Sequence, residues 1–547
     1  MSASDVLGNP EAYGLSFFIG VLLHIFVFRY GEWDLSAQRV ISSFSLAYIA
    51  TVSATMAAPI LAPMITDPIK TIRLAEASKT AAILFSFLVA GIYSSMMVYR
   101  GLFHRLRQFP GPFLAKFTNL YVTLKIWNRM HLHEDVRKLH EKYGDIVRVG
   151  PTELSVNKPG AIDAVFLDTD CMKGPWYNLL HPMVSMQMVR DKEAHSKRRK
   201  AWEYGFTSKS LRDYEPRVLK YTDQLLAGIE ASAGTKFNVA VWFNFYSFDV
   251  MGEFSLGHGF RMLEDGVAHF YMNSLHDETK AVGRFTHAMW ALPLYRKMAI
   301  WNAGVKKFKM WISGRCNSNK PETPDIFTWV LEDYEAKKER SFQDMLNLYG
   351  DCILITVAGS DTVAAVLSCL FMELARHPRE YKKLQEEVDE YFRQHDKPEH
   401  AALSKLQYLQ ACVDESLRLH PPVPSGVQRM TPPEGLQVDD VWLPGDTIVF
   451  VPSYTQYRDD FIPERWIDRP ELVKNAAVFV PFSTGHDVCI GKQLGLLETR
   501  FVTSAIVHKY NVEYAEGQTG EGFLEGNKDT GTLTVAPLNV IFTPRKF

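Results

Sequence analysis

The chain has 547 residues, with 60 Lys and Arg against 62 Asp and Glu for a formal net charge of −2, and a hydrophobic fraction of 47%. That length can bury a sizeable core, the apolar content excludes a largely disordered chain, and the near-neutral balance excludes nucleic-acid binding driven by bulk charge. Six cysteines without a CxxC pair exclude a disulfide scaffold, argue against a zinc site, and suit a reducing compartment.

Charge is unevenly spread. Residues 1–100 hold six basic and six acidic side chains, about half the density of the rest. Three apolar runs, near 14–29, 40–65 and 80–99, are spaced as membrane-spanning helices, each of which needs roughly 17–25 mostly apolar residues. No Lys or Arg precedes the first run, which argues against a cleaved signal peptide. The expected organisation is therefore a membrane anchor over 1–105 and a large body over 106–547. Arg100, Arg105 and Arg107 follow the last run and favour a body facing the cytosol, although Lys70, Arg73 and Lys79 would then lie on the other side.

Phe109-Pro110-Gly111-Pro112 is a rigid turn that stops a helix arriving from the anchor. His133–Tyr143 reads as a helix, with Ile146–Val149 and Glu153–Val156 as short strands. Long amphipathic helices follow to about 420, then β-branched and proline-rich segments to 460, one helix after Cys489, and a strand-rich tail from about 510. The fold class is mainly α with small β-sheets. His131 and His133 read as surface residues.

Four segments carry the chemistry. In Phe482-Ser483-Thr484-Gly485-His486-Asp487-Val488-Cys489-Ile490-Gly491, glycines flank a cysteine just before an apolar helical stripe. The loop can approach a flat ligand closely, and the helix N-terminus favours thiolate. Ala358-Gly359-Ser360-Asp361-Thr362 places poor helix formers inside an apolar run from about Phe342 to Ala375, as if to make room for a ligand or a crossing helix. Glu415 and Arg418 share a helical face at i and i+3, and Pro463-Glu464-Arg465-Trp466 follows some 45 residues later.

In this order, these segments resemble the cytochrome P450 family: a proline-rich hinge, AGxDT, ExxR, PERW and FxxGxxxCxG. The resemblance covers about 108–547, and the multi-span N-terminus is similar to that of fungal secondary-metabolite members. It implies a cytochrome P450 fold preceded by transmembrane helices, and haem b held by the Cys489 thiolate as axial iron ligand. Phe482 would lie near the sulfur, with Gly485 and Gly491 letting the loop pass the porphyrin. Glu415, Arg418 and Arg465 would form a buried triad behind the haem. Asp361 and Thr362 would be catalytic, delivering protons to dioxygen, while Ala358 and Gly359 would line the distal pocket. In His195-Ser196-Lys197-Arg198-Arg199, His195 and Arg199 would bind haem propionates, as would Arg429 and His486.

The family pattern usually has Arg two residues before the cysteine, where this chain has Asp487. A carboxylate facing a propionate is repulsive, so Asp487 is expected to turn outward, to be protonated, or to leave the propionate to His486, His195, Arg199 and Arg429. The stretch Tyr457–Pro463 is also several residues shorter than usual. The implied activity is monooxygenation of a lipophilic small molecule in secondary metabolism. The implied partners are an NADPH-cytochrome P450 reductase and the endoplasmic reticulum membrane, with no nucleic acid. Substrate contacts are expected around Lys173–Val189, Asn238–Leu256, the distal helix, Val423–Val427 and Gly531–Thr534; Met183, Met186, Met188, Phe243, Phe245 and Phe248 suit an apolar ligand such as a terpenoid, alkaloid or polyketide, although such stripes are more often plain core.

Overall fold

A computed structural model describes residues 10–61, 74–167, 170–297, 323–454 and 460–546. The expected span at 40–65 and the short stretch before Pro463 therefore extend beyond the described residues at 62–65 and 457–459. The chain divides into two compact units, one comprising the described residues up to 122 with 148–151 and 287–297, the other the remainder.

In the first unit, helices Pro10–Leu23 (α1), Ala37–Leu61 (α2) and Leu74–Val98 (α3) each overlap a segment long and apolar enough to cross a membrane. The first such segment, Pro10–Phe28, has 19 residues, and the third, Leu74–Phe103, has 30. α1 and α3 run parallel. Tyr13 stacks on Phe87 at 5.1 Å, His24 Nδ1 lies 2.8 Å from Ser95 Oγ, and Arg29 sits over Tyr99 at 4.5 Å. Their closest approach is at Gly20 and Gly91, where a Cβ would come within 2.1 Å of the Leu88 oxygen and 2.0 Å of the Phe17 oxygen respectively. This is the small-residue contact by which apolar helices pack without a hydrophobic driving force. α2 runs antiparallel to α3, with Tyr48 Oη donating to the Ser78 carbonyl at 3.0 Å and Phe44 edge-on to Phe85. Two parallel helices joined through an antiparallel third fit a chain that crosses three times. Beyond them, Gly111 lies where a Cβ would be 2.3 Å from the Arg148 oxygen, and buried Arg148 donates to the carbonyls of Arg100, Lys116 and Pro151.

The second unit is mainly helical. A sheet within it pairs Glu153–Val156 (β1) and Met172–Lys173 (β2) with two later strands. Helices Lys192–Tyr204 (α4), Val239–Leu256 (α5) and Phe270–Phe285 (α6) precede the 35-residue helix Phe342–Arg376 (α7). The start of α7 is fixed by a reciprocal cap between Ser341 and Asp344. Gln407–Leu419 (α8) ends before His420-Pro421, as the proline requires. Strands Gln428–Met430 (β3) and Ile448–Phe450 (β4) belong to the same five-stranded sheet, in which these four lie in the order β1-β4-β3-β2 with Ile146–Gly150 beyond β1. Among these four, β1 and β4 are parallel and the other pairs antiparallel, which sets Lys173 directly opposite Arg429. Helix Lys492–Lys509 (α9) follows the cysteine loop, and the tail pairs Asn539–Pro544 with Tyr510–Tyr514 and Lys236–Asn238.

α5 lies along α7, and small polar residues let them approach. Ser360 Oγ donates to the Ser247 carbonyl at 3.3 Å, and Ser255 and Thr356 hydroxyls meet at 2.8 Å. The aromatic residues of α5 go to the core. Phe243, Phe245 and Phe248 are buried there with Met186, so these four are core; Met188 is buried outside that cluster and Met183 is half-buried. His131 and His133 are also buried, contrary to their surface reading: His131 faces Glu134, and His133 faces Asp529 and Tyr454.

Candidate functional site

The cysteine loop joins a 3-10 turn at Gly485–Asp487 to α9. The Cys489 amide donates to the Phe482 carbonyl at 2.8 Å, which pins the loop across its base. The thiol is exposed on one side and crowded by protein on the others. Burial pushes its pKa up, while the Gly491 and Lys492 amides and the Arg199 and Lys492 charges pull toward thiolate. A Cβ on Gly491 would have no neighbour nearer than 3.9 Å, so open space adjoins the sulfur. Gly485 has a different reason. Its φ is +67°, and a Cβ would lie 2.0 Å from the Phe166 oxygen, so it serves a close backbone approach and not clearance for a porphyrin.

Behind the loop, Glu415, Arg418 and Arg465 come together, all at least nine-tenths buried. Arg418 Nε and Nη2 each reach Glu415 at 2.8 Å, and Arg465 Nε lies 3.2 Å from Oε2. The Ile462 amide and Trp466 Nε1 add hydrogen bonds at 3.0 Å to the same carboxylate. Arg465 also donates to the Leu472 carbonyl at 2.7 Å. One carboxylate thereby joins α8 to the segment that leads toward the cysteine loop.

Along α7, Ala358 is exposed and Thr362 half-buried in an otherwise largely buried stretch. The Thr362 hydroxyl donates to the Ala358 carbonyl at 2.6 Å. Gly359, expected in the pocket wall, instead abuts the crossing helix: a methyl there would meet the Met251 sulfur at 2.4 Å. Asp361 is buried, with Oδ1 3.1 Å from His276 Nε2 of α6 and Oδ2 without a hydrogen-bond partner. His276 was not legible in the sequence, where a lone histidine in a polar helix carries no signal.

A second cluster lies where α4, the sheet and the cysteine loop meet. Asp487 turns inward to the cations, so of the three expected arrangements the outward turn and protonation do not hold. Its carboxylate is 3.0 Å from Arg429 Nη2, 3.2 Å from Lys173 Nζ and 3.6 Å from His195 Nε2. Burial alone would raise its pKa, but Lys173, Arg429 and His195 hold it below the usual carboxylate range. Burial lowers Lys173 to about 8 and, with Lys173, lowers His195 to about 4. His195 Nδ1 is buried without a partner. His486 joins the group, its ring 4.7 Å from that of His195 and its Nε2 2.8 Å from Ser196 Oγ. Arg199, expected on a propionate, donates Nη1 to the Val488 carbonyl at 2.8 Å and Nε to Glu203, and so braces the cysteine loop. Lys173 was placed only at the edge of a substrate-contact segment; its place beside Arg429 comes from a strand pairing that the local sequence does not mark.

These features fit a flat apolar group that carries acidic arms. The thiol has open space beside it, α7 presents a small and a hydroxylic residue, and a buried cluster holds more cations than its one carboxylate balances. An unpartnered ring nitrogen lies at the same cluster.

Comparison with known proteins agrees. Residues 110–542 match the model of the family described as cytochrome P450. The chain is 46% identical, over 98% of both chains, to a protein of Fusarium pseudograminearum named cytochrome P450 monooxygenase FCK2. It is 34% identical to cytochrome P450 monooxygenase phqL of Penicillium fellutanum, over 97% of this chain and 94% of that one. It is 33% identical to tryprostatin B 6-hydroxylase of Aspergillus fumigatus, over 96% of this chain and 95% of that one.

Proposed function

The chain belongs to the cytochrome P450 family, and from that premise we propose which of its residues carry the chemistry. It is a haem-thiolate monooxygenase, similar to fungal enzymes of secondary metabolism, that takes electrons from a redox partner and oxidises a lipophilic small molecule. Haem, when bound, supplies an iron centre whose thiolate ligand favours cleavage of the O–O bond of dioxygen.

Cys489 provides that thiolate. Burial leaves its pKa raised, the Gly491 and Lys492 amides and the Arg199 guanidinium offset that only in part, and Arg199 fixes the loop through the Val488 carbonyl. Glu415, Arg418 and Arg465 keep the loop's support rigid. His195, His486 and Arg429 meet the propionates, and Ala358 and Thr362 border the open side of α7. Asp361 holds or releases a proton at Oδ2, with Oδ1 fixed by His276. Thr362 uses its donor on the Ala358 carbonyl and retains acceptor lone pairs for a proton or hydrogen bond. The pair moves protons; His276 positions it.

The redox partner is an NADPH-dependent reductase on the same membrane. Residues 1–105 anchor the protein in the endoplasmic reticulum, with 106–547 on the cytosolic side. The parallel packing of α1 and α3, and Arg100, Arg105 and Arg107, support this arrangement. The reaction is hydroxylation of a lipophilic secondary metabolite, a reading supported by the hydroxylase among the relatives.

The observation that carries the residue roles is the open thiol at the start of α9. Dithionite-reduced protein exposed to CO is expected to show the red-shifted Soret band of thiolate-ligated haem, and Cys489→Ala to lose it. Identical spectra for the two proteins would refute the ligand assignment.

A further inference from the structure

The unusual carboxylate beside the cysteine loop has a partner that accounts for it. β2 and β3 set Lys173 directly opposite Arg429, and both side chains are buried, at 6% and 3% exposure. Like charges facing each other across a strand pair are destabilising, and a buried ammonium needs a counter-ion. Asp487 supplies one negative charge to both, at 3.2 Å from Lys173 and 3.0 Å from Arg429. Two enclosed cations then share one anion. The cluster keeps an excess positive charge, beside a histidine nitrogen that lacks a partner. An acidic group entering here would relieve both deficits.

We propose that Lys173 is a haem-propionate ligand of this protein, and that Asp487 is the fixed anion holding Lys173 and Arg429 side by side to receive it. This rests on Cys489 as the haem ligand. It deepens that reading by assigning Asp487 a purpose: the carboxylate does not oppose the propionate, because it is outnumbered by the cations it aligns. Lys173 supplies from the sheet the positive charge that the cysteine loop lacks. The Tyr177 ring lies 5.4 Å from Lys173 Nζ, and its hydroxyl accepts from Arg429 Nη1 at 2.9 Å, so the same residue touches both cations.

The test is the rate of haem transfer from full-length holoprotein in detergent to excess apomyoglobin. Wild type, Lys173→Met and Lys173→Arg are each loaded with protohaem and with its dimethyl ester, whose propionates are uncharged. With protohaem, Lys173→Met is expected to lose haem about tenfold faster than wild type, as loss of a charge-assisted hydrogen bond implies, and Lys173→Arg to restore most of the difference. With the dimethyl ester, wild type and Lys173→Met are expected to lose haem at the same rate. Unchanged protohaem loss in Lys173→Met would overturn the proposal. So would equal acceleration with both haems, which would make Lys173 a structural residue only. The CO spectrum separates the two levels: a wild type without the thiolate band overturns the Cys489 reading itself, whereas a normal band with unchanged haem loss overturns Lys173 alone.

Discussion

Replacing Glu415 by Gln keeps the shape of the side chain and removes only its charge. The carboxylate is fully buried and lies between two guanidiniums at 2.8 and 3.2 Å. The Gln oxygen can still accept from the Ile462 amide or Trp466 Nε1, so those neutral hydrogen bonds are partly retained. What remains is two buried cations with no anion, and an amide N–H directed at one of them. Removing one partner of a buried ion pair costs about 3–5 kcal/mol, and here the lost anion serves two cations. At 1.4 kcal/mol per factor of ten, the folded-to-unfolded ratio falls at least about a hundredfold. Thermal unfolding followed by circular dichroism, alongside the yield of the CO-reduced thiolate band, measures this. Glu415→Gln is expected to unfold at markedly lower temperature and to yield little haem-loaded protein. A variant destabilised by less than about 1 kcal/mol, with normal haem content, would refute the argument that this charge braces the cysteine loop.

The two loop glycines should behave oppositely. Gly485→Ala meets the Phe166 carbonyl and adopts a left-handed conformation costing roughly 1–2 kcal/mol before any clash, whereas Gly491→Ala has free space and should change stability by under about 0.5 kcal/mol; equal melting temperatures would contradict this. Burial would raise the Glu373 pKa, but His377 and His420, the latter at 2.6 Å, hold it at about 2 from an ordinary 4.5, while Glu373 raises His377 above 6.5. The Glu373 contribution is present above pH 4.5 and fades as pH falls toward 2, and the His377 contribution is present below 6.5 and fades above it. Glu373→Gln should therefore be most destabilising between pH 4.5 and 6.5, by something of the order of 3 kcal/mol, and a pH-independent difference in denaturant midpoints would count against it. His276→Leu removes the bond to Asp361 Oδ1 and should raise peroxide released per NADPH consumed with the CO spectrum unaltered; unchanged coupling would remove His276 from the proton path.

The sequence made the helices visible because they are long and apolar, and α7 closely follows the run from Phe342. The Glu415 triad was legible because its members occupy a recognisable order of motifs. Other roles were not, for a physical reason: a small or charged residue satisfies whatever the fold brings to it. Gly359 suggested room for a ligand but meets Met251, and Gly485 suggested clearance for a porphyrin but meets Phe166. The aromatics of α5 are apolar in a pocket or a core alike, and burial decided it. Lys173 and His276 act through partners 314 and 85 positions away, at Asp487 and Asp361, which no local pattern encodes.

The notch where Gly20 and Gly91 interlock bears on how the protein can be shortened. Deleting residues 10–29 would strip Gly91, Ser95 and Tyr99 of the neighbours Gly20, His24 and Arg29, and leave a grooved, partly polar stripe on α3. Such a surface recruits the nearest helix with a matching face, including α3 of another molecule. The three segments are best kept or removed together.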